Sequence, residues 1–261
     1  TADEPNLVTG LKGLVGAEIK VVGPITDQHS GLHGGAIANP LMALSQLVSS
    51  MKDRNGKITI NGFYDDVEDL TEDDRNDIAR VPYDEEAYKE ELKVDELHGE
   101  EGYSTRERLW ARPTLDVNGI FGGYQGMGSK TVHPSEASVK ITCRLVSDQN
   151  PEIIYDLICK HVEENLPVGV KSEVKRLAGS ADPFVMPRSH NANQVAREVL
   201  QEVYEMDPYV TRLGGSIPIM TIFLKELGVY GTMFGLSVSD ENLHAPNEFF
   251  RLKNFRSCLL Y

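Results

Sequence analysis

At 261 residues, with 40% hydrophobic and 25% charged side chains, the chain is long enough for one large domain or two smaller ones, each with a buried core. A formal net charge of −14 disfavours nucleic acid as a partner, because phosphate binding needs clustered Lys and Arg. No apolar run reaches the ~20 residues of a membrane span. Cys143, Cys159 and Cys258 are too few and wrongly spaced for a disulfide framework or a zinc knuckle, which points to a reducing, cytoplasmic compartment.

Ala17, Ile19 and Val21 alternate with Glu18 and Lys20, the pattern of a half-buried strand. A loop running from Asp27 to Pro40 follows, with His29 and His33 set among Gly31, Gly34 and Gly35. Glycine lets backbone approach a ligand closely, and imidazole works as ligand, proton carrier or donor near neutrality. Leu41, Leu44, Val48 and Met51 then recur at helical spacing, Asn55-Gly56 marks a turn, and Lys57 to Ile60 predicts a short strand. The span 65–101 is acidic and poor in aliphatics. Thr71-Glu72-Asp73-Asp74 predicts a capping box, and Asp84 a cap for a second helix through Leu92. This reads as a solvated helical insertion.

After Trp110 the strand pattern returns. Val139, Ile141, Cys143 and Leu145 face one way, Lys140 and Arg144 the other. Asn150-Pro151-Glu152 combines a cap, a first-turn proline and an early acid, and predicts a helix. Val168, Val170 and Val174 predict another strand. The stretch from Asp182-Pro183 to Ser189 reads as a linker and domain boundary. Beyond it come a predicted helix (Asn191 to Tyr204), a short strand, a helix (Ile217 to Leu227), a strand (Gly231 to Phe234) and a final helix from Phe249 to Tyr261. That alternation is α/β in style. Thr1 opens without a methionine, and the apolar pattern runs into Leu259-Leu260-Tyr261, so the chain is expected to be part of a longer protein.

Two look-alike motifs fail. His29 and His33 have a metalloprotease helix's spacing, but Ser30-Gly31 replaces the glutamate that chemistry needs. Gly123 to Thr131 nearly matches a phosphate-binding loop, but one residue is inserted and Val132-His133-Pro134 cannot start the required helix.

Seven motifs, in order, resemble the metal-dependent aminoacylase, carboxypeptidase and dipeptidase superfamily, on its carnosinase-like cytosolic dipeptidase branch. They are Asp27-Gln-His29-Ser-Gly31 with Gly34-Gly35, Asn39-Pro40, Gly62-Phe-Tyr-Asp-Asp66, Lys130-Thr131-Val-His-Pro134, Arg144-Leu-Val146, Gly214-Gly-Ser-Ile-Pro218 and His244-Ala-Pro-Asn-Glu248. The resemblance implies an α/β architecture in two parts. An α+β lid, a four-stranded antiparallel sheet with two helices on one face, would occupy residues 13–180 and form a homodimer interface. Residues 181–261 would be the C-terminal portion of an α/β catalytic domain, and residues 1–12 the connection into the lid.

The implied activity is hydrolysis of dipeptides or related N-acyl amino acids by the intact parent, with two divalent ions, zinc and sometimes manganese. His244 matches the last metal ligand. His29 matches the lid histidine that steadies the oxyanion in the partner subunit's site. Thr131, Arg144, His190, Gly214, Gly215 and Ser216 match positions that bind the substrate carboxylate or backbone. The remaining metal ligands and the general base would lie upstream of Thr1, so this chain alone is expected to be inactive. The alternative is a non-enzymatic dimerisation module. Simpler roles compete at two positions: His190 could only cap a helix, and Arg144 could only pair with a lid acid such as Glu136.

Overall fold

Two sheets share one continuous run of chain at the N-terminal side, with a single residue, Lys12, between the strands that enter them. The computed structural model describes residues 4–233 and 238–254. In chain order the elements begin β1 (Asn6–Leu11), β2 (Gly13–Val22), β3 (Gln28–His29), α1 (Ser30–His33) and α2 (Pro40–Ser50). The acidic span holds α3 (Glu72–Arg80) and α4 (Glu85–Leu92), followed by α5 (Thr105–Ala111). Then come β4 (Thr114–Gly122), β5 (Val132–His133), β6 (Glu136–Leu145), α6 (Pro151–Asn165) and β7 (Lys171–Arg176). The last are β8 (Phe184–Val185), α7 (Asn191–Tyr204), β9 (Tyr209–Leu213) and α8 (Pro218–Leu227).

The larger sheet is antiparallel, in the order β4-β6-β2-β7. Its register sets Ala17 opposite Ile141 and Ile19 opposite Val139, so alternate residues of both central strands point to one face. Helices α2 and α6 cover that face. Val15, Ile19, Val139, Ile141, Leu44, Leu47, Ile158 and Phe63 are buried there in one core. Each such side chain contributes about 1.5–3 kcal/mol by leaving water. Asn39 and Asn150 cap α2 and α6 through their side-chain oxygens, each with proline in the first turn. This is the predicted four-stranded antiparallel sheet with two helices on one face.

The second sheet has the order β8-β1-β9, with β1 parallel to β9 and antiparallel to β8. The span read as a connection therefore contains a buried central strand, β1. The span read as a linker contains β8, whose Phe184 and the following Met186 are buried against Leu11 and Met220. β1, buried along almost its whole length, and β8, only two residues long, show no alternation.

Three further expectations change. Lys57 to Ile60 makes only a bridge between Lys52 and Ile58, while Ile58 and Ile60 pack into the core. The strand expected from Val168 starts at Lys171, because Gly169 turns the chain at φ +94° and leaves Val168 exposed. Of the strand expected at Gly231 to Phe234, Met233 bridges to Val8, while Phe234 lies outside the described residues. Of the final helix expected from Phe249 to Tyr261, residues 249–251 are not helical, 252–254 are, and 255–261 lie outside the described residues.

The acidic insertion is helical as expected, with the capping box at Thr71 and Asp74 and the cap at Asp84 both formed. It is more than a solvated face. Asp74 meets Arg212 of β9 at 2.8 Å, Asp77 meets Arg188 at 2.6 Å, and Arg80 meets Asp207 at 3.0 Å. These ion pairs fasten α3 to the second sheet and its helix. Singly each is worth little, but they share partners as a network. No helix among the described residues is long and apolar enough to cross a membrane.

Candidate functional site

The expected residues gather in two separate places. The first is the lid tip. Asp27 accepts a hydrogen bond from the Ser135 N–H at 2.9 Å, and β3 pairs antiparallel with β5. The Ser30 N–H donates to the Thr131 carbonyl at 3.1 Å. These contacts bring His29 to Thr131, with Nε2 3.5 Å from the threonine Oγ1. On the other side of the ring, His29 Nδ1 accepts the Gly31 N–H at 3.0 Å. A neutral imidazole accepting at Nδ1 carries its proton on Nε2. The ring is thus set as an outward donor, and both side chains are exposed. A Cβ on Gly31 would lie 2.9 Å from the imidazole Cε1, so the glycine is needed for this pose.

The second place is the junction between the sheets. Arg144, on the outer face of β6, donates through Nη1 to Ser216 Oγ at 3.1 Å. Ser216 Oγ donates in turn to the Lys12 carbonyl at 2.6 Å. Glu136, the alternative partner for Arg144, instead pairs with Lys20 at 2.6 Å. Gly214 and Gly215 are exposed beside this pair, and a Cβ on Gly215 would meet nothing within 4 Å. Open space, exposed backbone and a guanidinium beside a hydroxyl form a suitable place for a carboxylate.

His190 caps α7, its Nδ1 accepting the Ala192 N–H at 3.2 Å, with its ring 5.0 Å from Tyr230. The capping role is therefore real, and the other ring nitrogen remains for further bonding. His244 is exposed in a turn where Asn242, His244 and Asn247 all have positive φ. Such backbone is unusual for residues other than glycine. Among the described residues, no three His, Cys, Asp or Glu side chains meet as a metal site would require. The described residues thus do not form a two-metal centre by themselves. Cys143 is no nucleophile either: burial pushes its thiol up to about 12, and it fills the lid core.

Lys12 escaped the sequence reading. Its signal was a lone cation inside the apolar run from Leu7 to Val15. It is buried, and its ammonium donates to the Arg108 carbonyl at 3.0 Å.

Residues 9–170 match the model of the peptidase dimerisation domain, and the chain belongs to this M20 family, within the metallopeptidase and dipeptidase superfamily. It is 32% identical to the Cys-Gly metallodipeptidase DUG1 of Candida albicans, over 97% of this chain and 52% of that protein. It is 28% identical to the Beta-Ala-His dipeptidase of Rattus norvegicus, over 94% of this chain and 50% of that protein. The M20 family metallo-carboxypeptidase Sso-CP2 of Sulfolobus solfataricus superposes with a TM-score of 0.84 at 30% identity, over 98% of this chain and 58% of that one. The chain spans about half the length of the curated relatives it matches.

Proposed function

We propose that this chain forms the lid and the C-terminal portion of the catalytic domain of a cytoplasmic, metal-dependent dipeptidase that works as a homodimer. Residues 13–180 are the lid, and residues 181–261 belong to the catalytic domain. Two divalent ions, zinc or manganese, serve the intact protein, and His244 is the ligand this span offers. Dipeptides or related N-acyl amino acids are the substrates.

The observation that carries this is the convergence of Arg144 and Ser216, 72 residues apart in sequence, beside the open Gly214-Gly215 backbone. Arg144 and Ser216 hold the substrate's free carboxylate, which restricts cleavage to chain ends. His190 and the Gly214-Gly215 backbone orient the rest of the substrate. His29, with its Nε2–H directed outward beside Thr131, donates to the oxyanion in the partner's site. Removing one such donor typically costs about 10²–10³ in kcat.

The edges of the lid sheet favour one seam for the dimer. β7 presents Lys171, Glu173 and Lys175, charges that discourage strand addition. β4 presents Val117, Ile120 and Phe121, all substantially exposed. An apolar, unpaired edge suits a second copy of the same strand.

Subunit mixing tests the proposal. Full-length His29→Ala and Arg144→Ala proteins, each strongly impaired at substrate well below KM, are mixed and assayed at that concentration under conditions of confirmed exchange. A recovery of up to about a quarter of wild-type hydrolysis is expected if each site draws on both subunits of a twofold dimer. No recovery would confine His29 to its own subunit. A wild-type protein that dimerises and cleaves no dipeptide would leave only the dimerisation-module alternative.

A further inference from the structure

Lys12 lies between β1 and β2 and is only 3% exposed. A buried cation is costly unless its surroundings use it. Its backbone is bound to the loop after β9: its N–H donates to the Leu213 carbonyl at 3.2 Å and to the Gly215 carbonyl at 3.1 Å. Its own carbonyl accepts the Ser216 hydroxyl at 2.6 Å. Its ammonium extends to the Arg108 carbonyl in α5, at 3.0 Å. Three charged groups face it. Arg144 on β6 and Arg112 beyond α5 repel it, and Asp116 on β4 attracts it. Arg112 is itself held by Glu100 in a two-pronged ion pair, at 2.9 and 2.7 Å.

We propose that Lys12 is a positioning residue for the Arg144–Ser216 carboxylate site, anchoring the Gly214–Ser216 loop to α5 and adding positive charge beside Arg144. This rests on the dipeptidase function above. The backbone bonds place Ser216 against Arg144, and the ammonium fixes that backbone relative to α5. The ammonium also raises the potential felt by an incoming carboxylate. Burial, and then the Arg144 guanidinium, hold the pKa of Lys12 down to about 7. Its charge is therefore lost as pH rises through neutrality. The neutral amine still donates to Arg108, but the extra charge beside Arg144 is gone.

The test is steady-state dipeptide hydrolysis by the full-length protein across neutral pH. In the wild type, KM is expected to rise about fivefold as pH passes through neutrality, the effect of one unit charge at a partly screened distance. Lys12→Met should show a raised KM with no such step, and a kcat within about twofold of wild type. Asp116→Asn alters an exposed side chain, and should move the wild-type step to lower pH by removing the charge that favours the ammonium. A Lys12→Met protein with wild-type KM and the same step would overturn the proposal. So would an Asp116→Asn protein whose step stays in place, a measurement that decides the matter even if Lys12→Met fails to fold. Wild-type protein with no dipeptide hydrolysis would instead overturn the dipeptidase reading on which this depends.

Discussion

The lid sheet and the β8-β1-β9 sheet differ in how fully they are enclosed. The lid buries one continuous core between four strands and two helices. The second sheet has two small clusters, one around Phe184 and Met220 and one around Leu7, Ala196 and Leu200. Its helix α8 leaves Ile219, Ile222, Phe223 and Leu227 well exposed. The lid encloses its core and leaves apolar exposure at the β4 edge, whereas α8 presents an apolar face of the kind that packs within a larger α/β domain. The candidate site residues follow the same division. His29 and Thr131 stand exposed at the tip of the self-contained lid. Arg144 and Ser216 lie half-buried where the two sheets join.

The contrast can be broken first at the lid core. Phe63 is fully buried, and its carbonyl accepts Gln149 Nε2 at 2.8 Å. Phe63→Ala should cost about 3–5 kcal/mol in denaturant unfolding. A loss below about 1 kcal/mol would mean the lid core is far looser than its packing implies.

A smaller effect is expected at the junction. Arg144→Ala removes a charge-assisted contact worth about 1.5–3 kcal/mol, so KM for a dipeptide should rise about 10–100-fold. Unfolding should change little, because the side chain is only half-buried. A change in stability with unaltered KM would make Arg144 a strut between the sheets and not a substrate contact.

A third test sharpens the contrast through pH. Lys12 titrates near 7 in the folded chain against 10.5 as its ordinary value. Between those values the unfolded chain binds more protons, so folding stability rises with pH. The cost of the buried charge is fully present below about 7 and fades towards 10.5. The slope from this residue is at most about 1.4 kcal/mol per pH unit. Comparing wild type with Lys12→Met by denaturant unfolding at neutral and alkaline pH isolates it. Parallel stability profiles for the two proteins would mean that Lys12 keeps its charge in the fold.

Much of the lid was legible in the sequence. The alternation in β2 and β6 named the core-facing residues. The caps at Thr71, Asp84, Asn150 and His190 marked helix starts. The motifs around His29, Arg144, Ser216 and His244 singled out candidate residues, and the matching family model bears out the resemblance they carried.

The second sheet was much less legible. Nothing in the sequence marks β1 as a central strand, or Asp182 to Ser189 as containing β8. Local periodicity and capping depend on neighbours within a few residues, and so the sequence by itself determined α2 to α4, α6 to α8, the alternating strands β2 and β6 and the residue types at the candidate sites, while α1 and α5 went unread. The parallel pairing of β1 with β9 joins segments about 200 residues apart, as does the Ser216 bond to Lys12, with a separation of 204. Such contacts form only where burial of both segments outweighs the cost of closing the chain between them. Tertiary structure alone therefore decided that a lone lysine in an apolar run would sit behind Arg144 and Ser216.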